Sequence, residues 1–323
     1  MNSSPPRSGS HPVVARLGYV ALVVNDVEAA AAVLSEDFGL RRTDCAAMAT
    51  RRKAPVFRAG ESALALFAPD DPFVGGSARA GAHHIALEVD DLDRATAQVT
   101  ARGIEVVDDD ERGLQGRRRC AVSPDSMGGV RAYLSEPLRL DPSPPGPVER
   151  LDHVGVASAD NRVALEVFSG RLGLAVESTQ TDLEVSIAVE SFTSDKYGVV
   201  QHARRPQIQG GLRVAFVTIG DCELEFLQDL DPAPGGVSGV GGPGTTKQDQ
   251  SAIARYIAAR GPGLHHIALK VGDIDRTLAA LERAGRAVID RVGRPGSRRA
   301  LIGFLHPRAL HGVLLHLVQR EAV

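Results

Sequence analysis

Residues 264–277, LHHIALKVGDIDRT, repeat residues 82–95, AHHIALEVDDLDRA, with nine of fourteen positions identical at an offset of 182. A chain carrying such a repeat is internally duplicated and has to fold as copies of one unit. Two weaker echoes extend the pattern. LGYVALVVNDVEAA (17–30) matches LDHVGVASADNRVA (151–164), and GESALALFAPDD (60–71) matches GDCELEFLQDLD (220–231). Four modules are therefore expected. Each opens on an alternating strand, turns at an Asp into an Ala/Leu/Arg-rich helix and closes on strands such as Val313–Val318. That order predicts tandem βαβββ units and an α+β fold.

The predicted helices lie around 26–37, 91–102, 160–170 and 273–284, each after an Asp or Asn that can cap free N–H groups. A further helix is expected over 248–263, where Ile253, Tyr256 and Ile257 recur at helical spacing before Gly261-Pro262 stops it. The stretch 137–149 holds five prolines in thirteen residues, which blocks helix and removes strand donors. It divides the chain into a first domain at 15–136 and a second at 150–323, after a disordered start at 1–14. The Gly-rich run 232–247 lies inside the second half and reads equally as a functional lid or a disordered loop. It lacks the strand-to-helix setting of a phosphate loop.

With 323 residues and a net charge of −3 from interspersed charges, the chain has neither a nucleic-acid footprint nor a membrane-surface face. Cys45, Cys120 and Cys222 are too few and too far apart for a disulfide framework or a zinc finger. No run approaches the roughly 20 apolar residues of a membrane span, and the first dozen residues lack a secretory core. A cytoplasmic protein acting on a small molecule is expected, with a homodimer an open option.

Alternation along strands locates the chemistry. His153 shares a face with Gly155 and Ala157, and His266 with Ala268 and Lys270, whereas His265 points the other way with Ile267 and Leu269. The small neighbours leave space in front of both imidazoles. On the closing strands, Glu223 and Glu225 alternate with Leu224 and Phe226, and His316 lies between Leu315 and Leu317. His153, Glu225, His266 and His316 thus form a candidate metal set. Imidazoles with one carboxylate suit one borderline divalent ion, Fe, Co, Mn, Ni or Zn. His83 and His265 are read as packed on the outer sheet face, and Asp108 to Glu111 as a solvated turn.

The runs LDHVGV (151–156), GDCELEFLQDLDP (220–232), SAIARYIAARGPGLHHIALKVGDID (251–275) and FLHPRALHGVLLHLVQ (304–319) resemble methylmalonyl-CoA epimerase, a family of the vicinal oxygen chelate superfamily. The resemblance covers about residues 150–320. It implies curled mixed sheets that form a cup in each of two domains. It places the family's metal ligands on His153, Glu225, His266 and His316, where the last replaces the family's Glu. The family's opposing acid/base Glu aligns near Val214. Without these two carboxylates, two-base epimerisation lacks its proton carriers. Glu223, Glu184 or Glu190 could substitute, so Glu223 and His316 stand as catalytic candidates. Arg298, Arg299 and Arg308 fall where the family has basic segments near substrate, and with Lys270 they form the substrate-binding candidates.

In the first half the corresponding positions are Tyr19, Ala65, His84 and Tyr133, and a single histidine cannot hold a metal. A metal-free first half ahead of a metal-bearing second half is similar to the layout of 4-hydroxyphenylpyruvate dioxygenase and the extradiol dioxygenases. The leading expectation is a metal-dependent isomerase, epimerase or lyase that stabilises an enolate or oxyanion of a small carboxylate, 2-oxo acid or acyl-CoA. An iron(II) dioxygenase and a non-catalytic sequestering protein are the alternatives. An aromatic content of 4% with no Trp weighs against stacking-based sequestration.

Overall fold

The computed structural model describes residues 12–47, 52–186, 189–196, 198–203, 207–230 and 252–321. The first module is β1 (Arg16–Val23), α1 (Val27–Ala32), β2 (Arg42–Ala47), β3 (Arg52–Ala59) and β4 (Ser62–Phe67). The second is β5 (Gly81–Glu88), α2 (Leu92–Ala101), β6 (Val106–Arg112), β7 (Arg118–Val122) and β8 (Ala132–Ser135). The third opens with β9 (Val148–Ala157), α3 (Asn161–Leu165) and β10 (Val176–Ser186). It then inserts a hairpin, β11 (Val189–Ser194) with β12 (Gly198–Ala203), before β13 (Gln207–Ile219) and β14 (Cys222–Asp229). A separate helix, α4 (Ala252–Arg260), leads into the fourth module of β15 (Gly263–Val271), α5 (Ile274–Arg283), β16 (Arg294–Pro295), β17 (Leu301–Leu305) and β18 (Leu315–Gln319).

Asp26, Asp91, Asp160 and Asp273 each cap a helix by accepting an N–H from the first turn, at 2.8–3.0 Å. These caps explain why the helices begin where the Asp-led turns stand in the sequence. Both halves build an eight-stranded mixed sheet, in the orders β2-β3-β4-β1-β5-β8-β7-β6 and β10-β13-β14-β9-β15-β18-β17-β16. Module joins module at the centre, where β1 runs antiparallel to β5 and β9 antiparallel to β15. Each of these strands is parallel to the closing strand of its own module. One face of each sheet packs on the helices in a core that runs continuously from Leu17, Leu64 and Ile85 to Leu151, Leu224 and Leu315. Across the halves, Arg102 Nη1 donates to Arg171 O at 2.7 Å and Arg286 pairs with Asp37 at 2.6 Å.

The ordered chain begins earlier than residue 15. Val13 and Val14 are buried, and the Val13 N–H donates to Leu172 O at 3.0 Å, because apolar side chains at this position extend the core. The proline-rich 137–149 holds no helix, and β9 starts inside it at Val148. It is strapped to the first half: Arg58 Nη1 donates to Leu140 O at 2.6 Å and Ser143 Oγ to Arg58 O at 2.6 Å. The division into domains at 15–136 and 150–323 stands as our proposal.

Asp108 to Glu111 do not form a turn. They belong to β6, an edge strand, and charge on an edge is tolerated because it discourages pairing with other chains. The Gly-rich run 232–247 and residues 1–11 lie outside the described residues. The three cysteines are buried and unbridged. Among the described residues no helix is long and apolar enough to cross a membrane.

Candidate metal centre

The second cup gathers its polar groups from four strands that are central in the sheet. β9 contributes His153, β14 Glu225, β15 His266 and β18 His316, and all four side chains are buried. Register explains their meeting: Glu225 pairs with Gly155, Gly155 with His266, and Ala268 with both His153 and His316. Gly155 leaves the gap that the ring of His266 fills. A β carbon there would lie 2.0 Å from His266 Cε1.

Glu225 Oε2 lies 3.3 Å from His153 Nε2 and 3.4 Å from His266 Nε2, and His316 Nε2 lies 2.9 Å from His153 Nε2. One nitrogen from each of the three imidazoles falls within 4.8 Å of the others. His316 Nδ1 is buried with no hydrogen-bond partner, and His266 Nε2 has only its 3.4 Å contact with Glu225. Orphaned nitrogens in a dry, polar pocket are costly unless something is coordinated there. Three neutral nitrogen donors and one carboxylate fit a borderline divalent cation.

Outer contacts orient these side chains. His153 Nδ1 lies 2.9 Å from Asp152 Oδ2, so its Nδ1–H donates to the carboxylate and Nε2 is left for the centre. Asp152 is held in turn by Arg320, at 2.9 and 2.5 Å, and by Arg150 at 3.1 Å. His266 Nδ1 lies 3.0 Å from His265 Nδ1, and a ligating Nε2 requires His266 to donate there and His265 to accept. His265 is therefore more than packing on the outer face.

Burial and the neighbouring charges pull the four groups in different directions. Burial opposes charge on His153, but Glu225 and Asp152 overcome it and hold this imidazole up at about 9. Burial pushes His266 below its ordinary value despite Glu225. Burial, His266 and His153 push His316 far below it. Burial would raise the Glu225 carboxyl, yet His153 and His266 keep it well below the usual range. Two neutral imidazoles, one imidazolium and one carboxylate thus share the pocket.

The substrate-binding candidates separate. Arg298 enters the cup: its guanidinium lies 3.6 Å from the centre of the Phe216 ring, donates to Glu177 at 2.7 Å and to Glu223 at 2.7 Å, and forms a second bond to Glu223. Its buried Nε has no partner. Arg298 and Arg299 are consecutive left-handed residues, φ +56° and +57°, a conformation costing about 1 kcal/mol or more per non-glycine residue. Arg299 is exposed. Arg308 is also exposed and bonds to His306 Nδ1, and Lys270 pairs with Glu149 at 2.8 Å. None of these three joins the histidines.

Glu223 is clamped by Arg298 and lies 3.5 Å from Arg320, so it stands as an anchor for arginine and not as an unpaired base. Val214 is buried in an apolar floor with Phe216, Leu227 and Ile253 of α4, and no carboxylate stands there. The side chains of Glu184 and Glu190 lie outside the described residues. Sequence reasoning missed Asp152, Arg320, Phe216 and Phe304, whose ring centre lies 4.5 Å from that of His316.

The first cup is closed. Tyr19, Ala65, His84 and Tyr133 occupy the corresponding register, and Arg119 fills the space between them, fully buried. Its guanidinium lies 3.9 Å from the Phe73 ring centre and 4.0 Å from that of Tyr133, and Nη1 donates to Tyr19 Oη at 3.3 Å. An internal cation takes the place that a metal ion would have.

Methylmalonyl-CoA epimerase from Dictyostelium discoideum is 27% identical over 115 residues, which are 35% of this chain and 59% of that protein. Ethylmalonyl-CoA/methylmalonyl-CoA epimerase from Cereibacter sphaeroides is 26% identical over 175 residues, 53% of this chain and 98% of that one. A mutant 4-hydroxymandelate synthase from Streptomyces coelicolor shares the fold across 97% of this chain and 94% of its own, with a TM-score of 0.62 at 19% identity. The Glyoxalase/Bleomycin resistance protein/Dioxygenase superfamily model matches residues 19–121 and 152–304. Four βαβββ modules, two cups and this match over most of its length establish that the chain belongs to that superfamily.

Proposed function

We propose that the chain is a divalent-metal-dependent vicinal oxygen chelate enzyme of the isomerase, epimerase or lyase type, with His153, Glu225, His266 and His316 as ligands. The observation that carries this reading is the buried meeting of one nitrogen from each of His153, His266 and His316, with Glu225 in contact with the first two. When bound, a divalent cation supplies Lewis acidity that stabilises negative charge developing on substrate oxygens.

The chain's own residues define the substrate. Arg298 offers a buried, unpartnered Nε–H beside Phe216, which suits a substrate carboxylate or thioester oxygen. Glu223 and Glu177 hold that guanidinium in place. Phe216, Val214 and Leu227 keep water from the floor. The substrate class is a small carboxylate, a 2-oxo acid or an acyl-CoA carrying an acidic carbon next to its carbonyl. Were all four side chains to hold the ion, they would leave less room for dioxygen beside a chelating substrate than a three-residue set would.

Elemental analysis of purified protein tests the reading. Roughly one equivalent of Fe, Co, Mn, Ni or Zn per chain is expected, recoverable after chelation. Protein that holds no such metal and takes none up would overturn it. Oxygen consumption with 2-oxo acids would instead assign a dioxygenase. Gain of methylmalonyl-CoA epimerisation in His316→Glu would show that the pocket accepts that thioester.

A further inference from the structure

His84 and His266 enter the cups, whereas His83 and His265 are the extra residues of bulges in β5 and β15, skipped in the pairing with β1 and β9, and each ring meets its neighbouring histidine. Beside His83, between β5 and the C-terminal end of α4, lies a cleft of about 630 Å³, within the range of small-molecule sites. Both halves supply its walls: Arg79, His83, Asp125 and Arg131 from the first, Tyr256 and Arg260 from the second.

The cleft is built with reciprocal bonds. Arg79 Nη1 donates to Ala259 O at 3.4 Å, and Arg260 Nη1 donates to Ala80 O at 3.0 Å. Arg131 Nη1 donates to His83 Nε2 at 2.9 Å. His83 must then be neutral, in keeping with burial and Arg131, which push it down to about 4. Its Nδ1 lies 2.8 Å from His84 Nδ1, so the ring is fixed from behind and fixes Arg131 in turn. Among the described residues none of the three arginines forms an ion pair. Three exposed guanidiniums and one exposed carboxylate, Asp125, thus line the cleft. Such an excess of planar forks is suited to an oxyanion.

We propose that this cleft binds a small molecule through a phosphoryl or carboxylate head held by Arg79, Arg131 and Arg260. The cleft neighbours the histidine cluster, since Tyr256 packs on His265 and His265 bonds to His266, but the bonds of Arg79, Arg131 and Arg260 go to Ala259, His83 and Ala80 and not to that cluster.

Calorimetric titration of the full chain, as purified, with inorganic phosphate and with succinate tests it. Saturable binding of at least one anion is expected, and which one binds tells a phosphoryl from a carboxylate head. Arg131→Gln and Arg260→Gln should each weaken binding about tenfold, while Asp125→Asn should tighten it. Arg162→Gln, at an exposed arginine outside the cleft, should change nothing. An unchanged thermal unfolding midpoint in each variant confirms an intact fold. Absence of saturable binding, or affinity indifferent to Arg131 and Arg260, would overturn the proposal. So would equal weakening by Arg162→Gln, which would signify general surface charge.

Discussion

The imidazole of His266 occupies the volume that any side chain at position 155 would need. The two residues are register partners on β9 and β15, and a β carbon at 155 would meet Cε1, Nδ1 and Nε2 of the ring at 2.0–2.6 Å. These contacts are with a ring that is itself packed by His265 and Phe304, so it cannot simply swing away.

Gly155→Ala should therefore displace His266 from the centre. Overpacking of this kind costs about 1–3 kcal/mol, and loss of one donor should lower metal affinity by about tenfold or more. Competition with a chromophoric chelator measures the second effect and thermal unfolding the first. Wild-type metal affinity in this variant would remove His266 from the ligand set.

Asp152 acts on the centre through His153. It is fully buried, accepts from His153 Nδ1 and is bracketed by Arg150 and Arg320. Asp152→Asn keeps the shape but removes the charge that sets the ligand's orientation. Metal affinity should fall about 10- to 100-fold, while a saturating metal concentration restores occupancy. Affinity equal to wild type would show that the carboxylate serves folding alone.

The duplication made the modules legible, since each half had to repeat strand, helix and closing strands. Alternation singled out His266 for the cup, but a bulge that leaves His265 unpaired and brings its ring onto His266 breaks period two and was not legible. What alternation could not supply was contact between strands. Asp152 reaches back to its neighbour's Nδ1, Arg320 comes from the far end of the chain, and Phe216 lies where the family resemblance is weakest. Arg119 was invisible for a related reason. Its position on β7 carries no ligand in the other half, where Ile302 stands in the matching register, so the repeat gave no reason to single it out.

Arg119 also allows the first cup to be tested separately. Its guanidinium is sandwiched between Phe73 and Tyr133 with no exposure, and desolvated cation–π contacts contribute about 2 kcal/mol or more. Arg119→Met should destabilise the chain by about 2–4 kcal/mol in urea unfolding while metal content stays at wild type. Loss of metal would mean that the first cup supports the second.

The pH dependence of the metal-free chain follows from the signs of the histidine shifts. His153 is raised from 6.5 to about 9, so its contribution is fully present below pH 6.5 and is lost as pH rises toward 9. His266 and His316 are lowered. The unfolded chain therefore binds more protons than the folded one just below pH 6.5, and their contribution falls as pH drops there. Together the three imidazoles stabilise the metal-free fold most near pH 6.5. A divalent ion must displace the proton from His153, so metal uptake at pH 7.5 should release about one proton and abolish the alkaline loss. Calorimetry in buffers of different ionisation enthalpy counts that proton, and unfolding from pH 6 to 9 with and without metal measures the profile. Uptake with no proton release would mean that His153 is neutral before the ion arrives and would remove it as the charged member of the cluster.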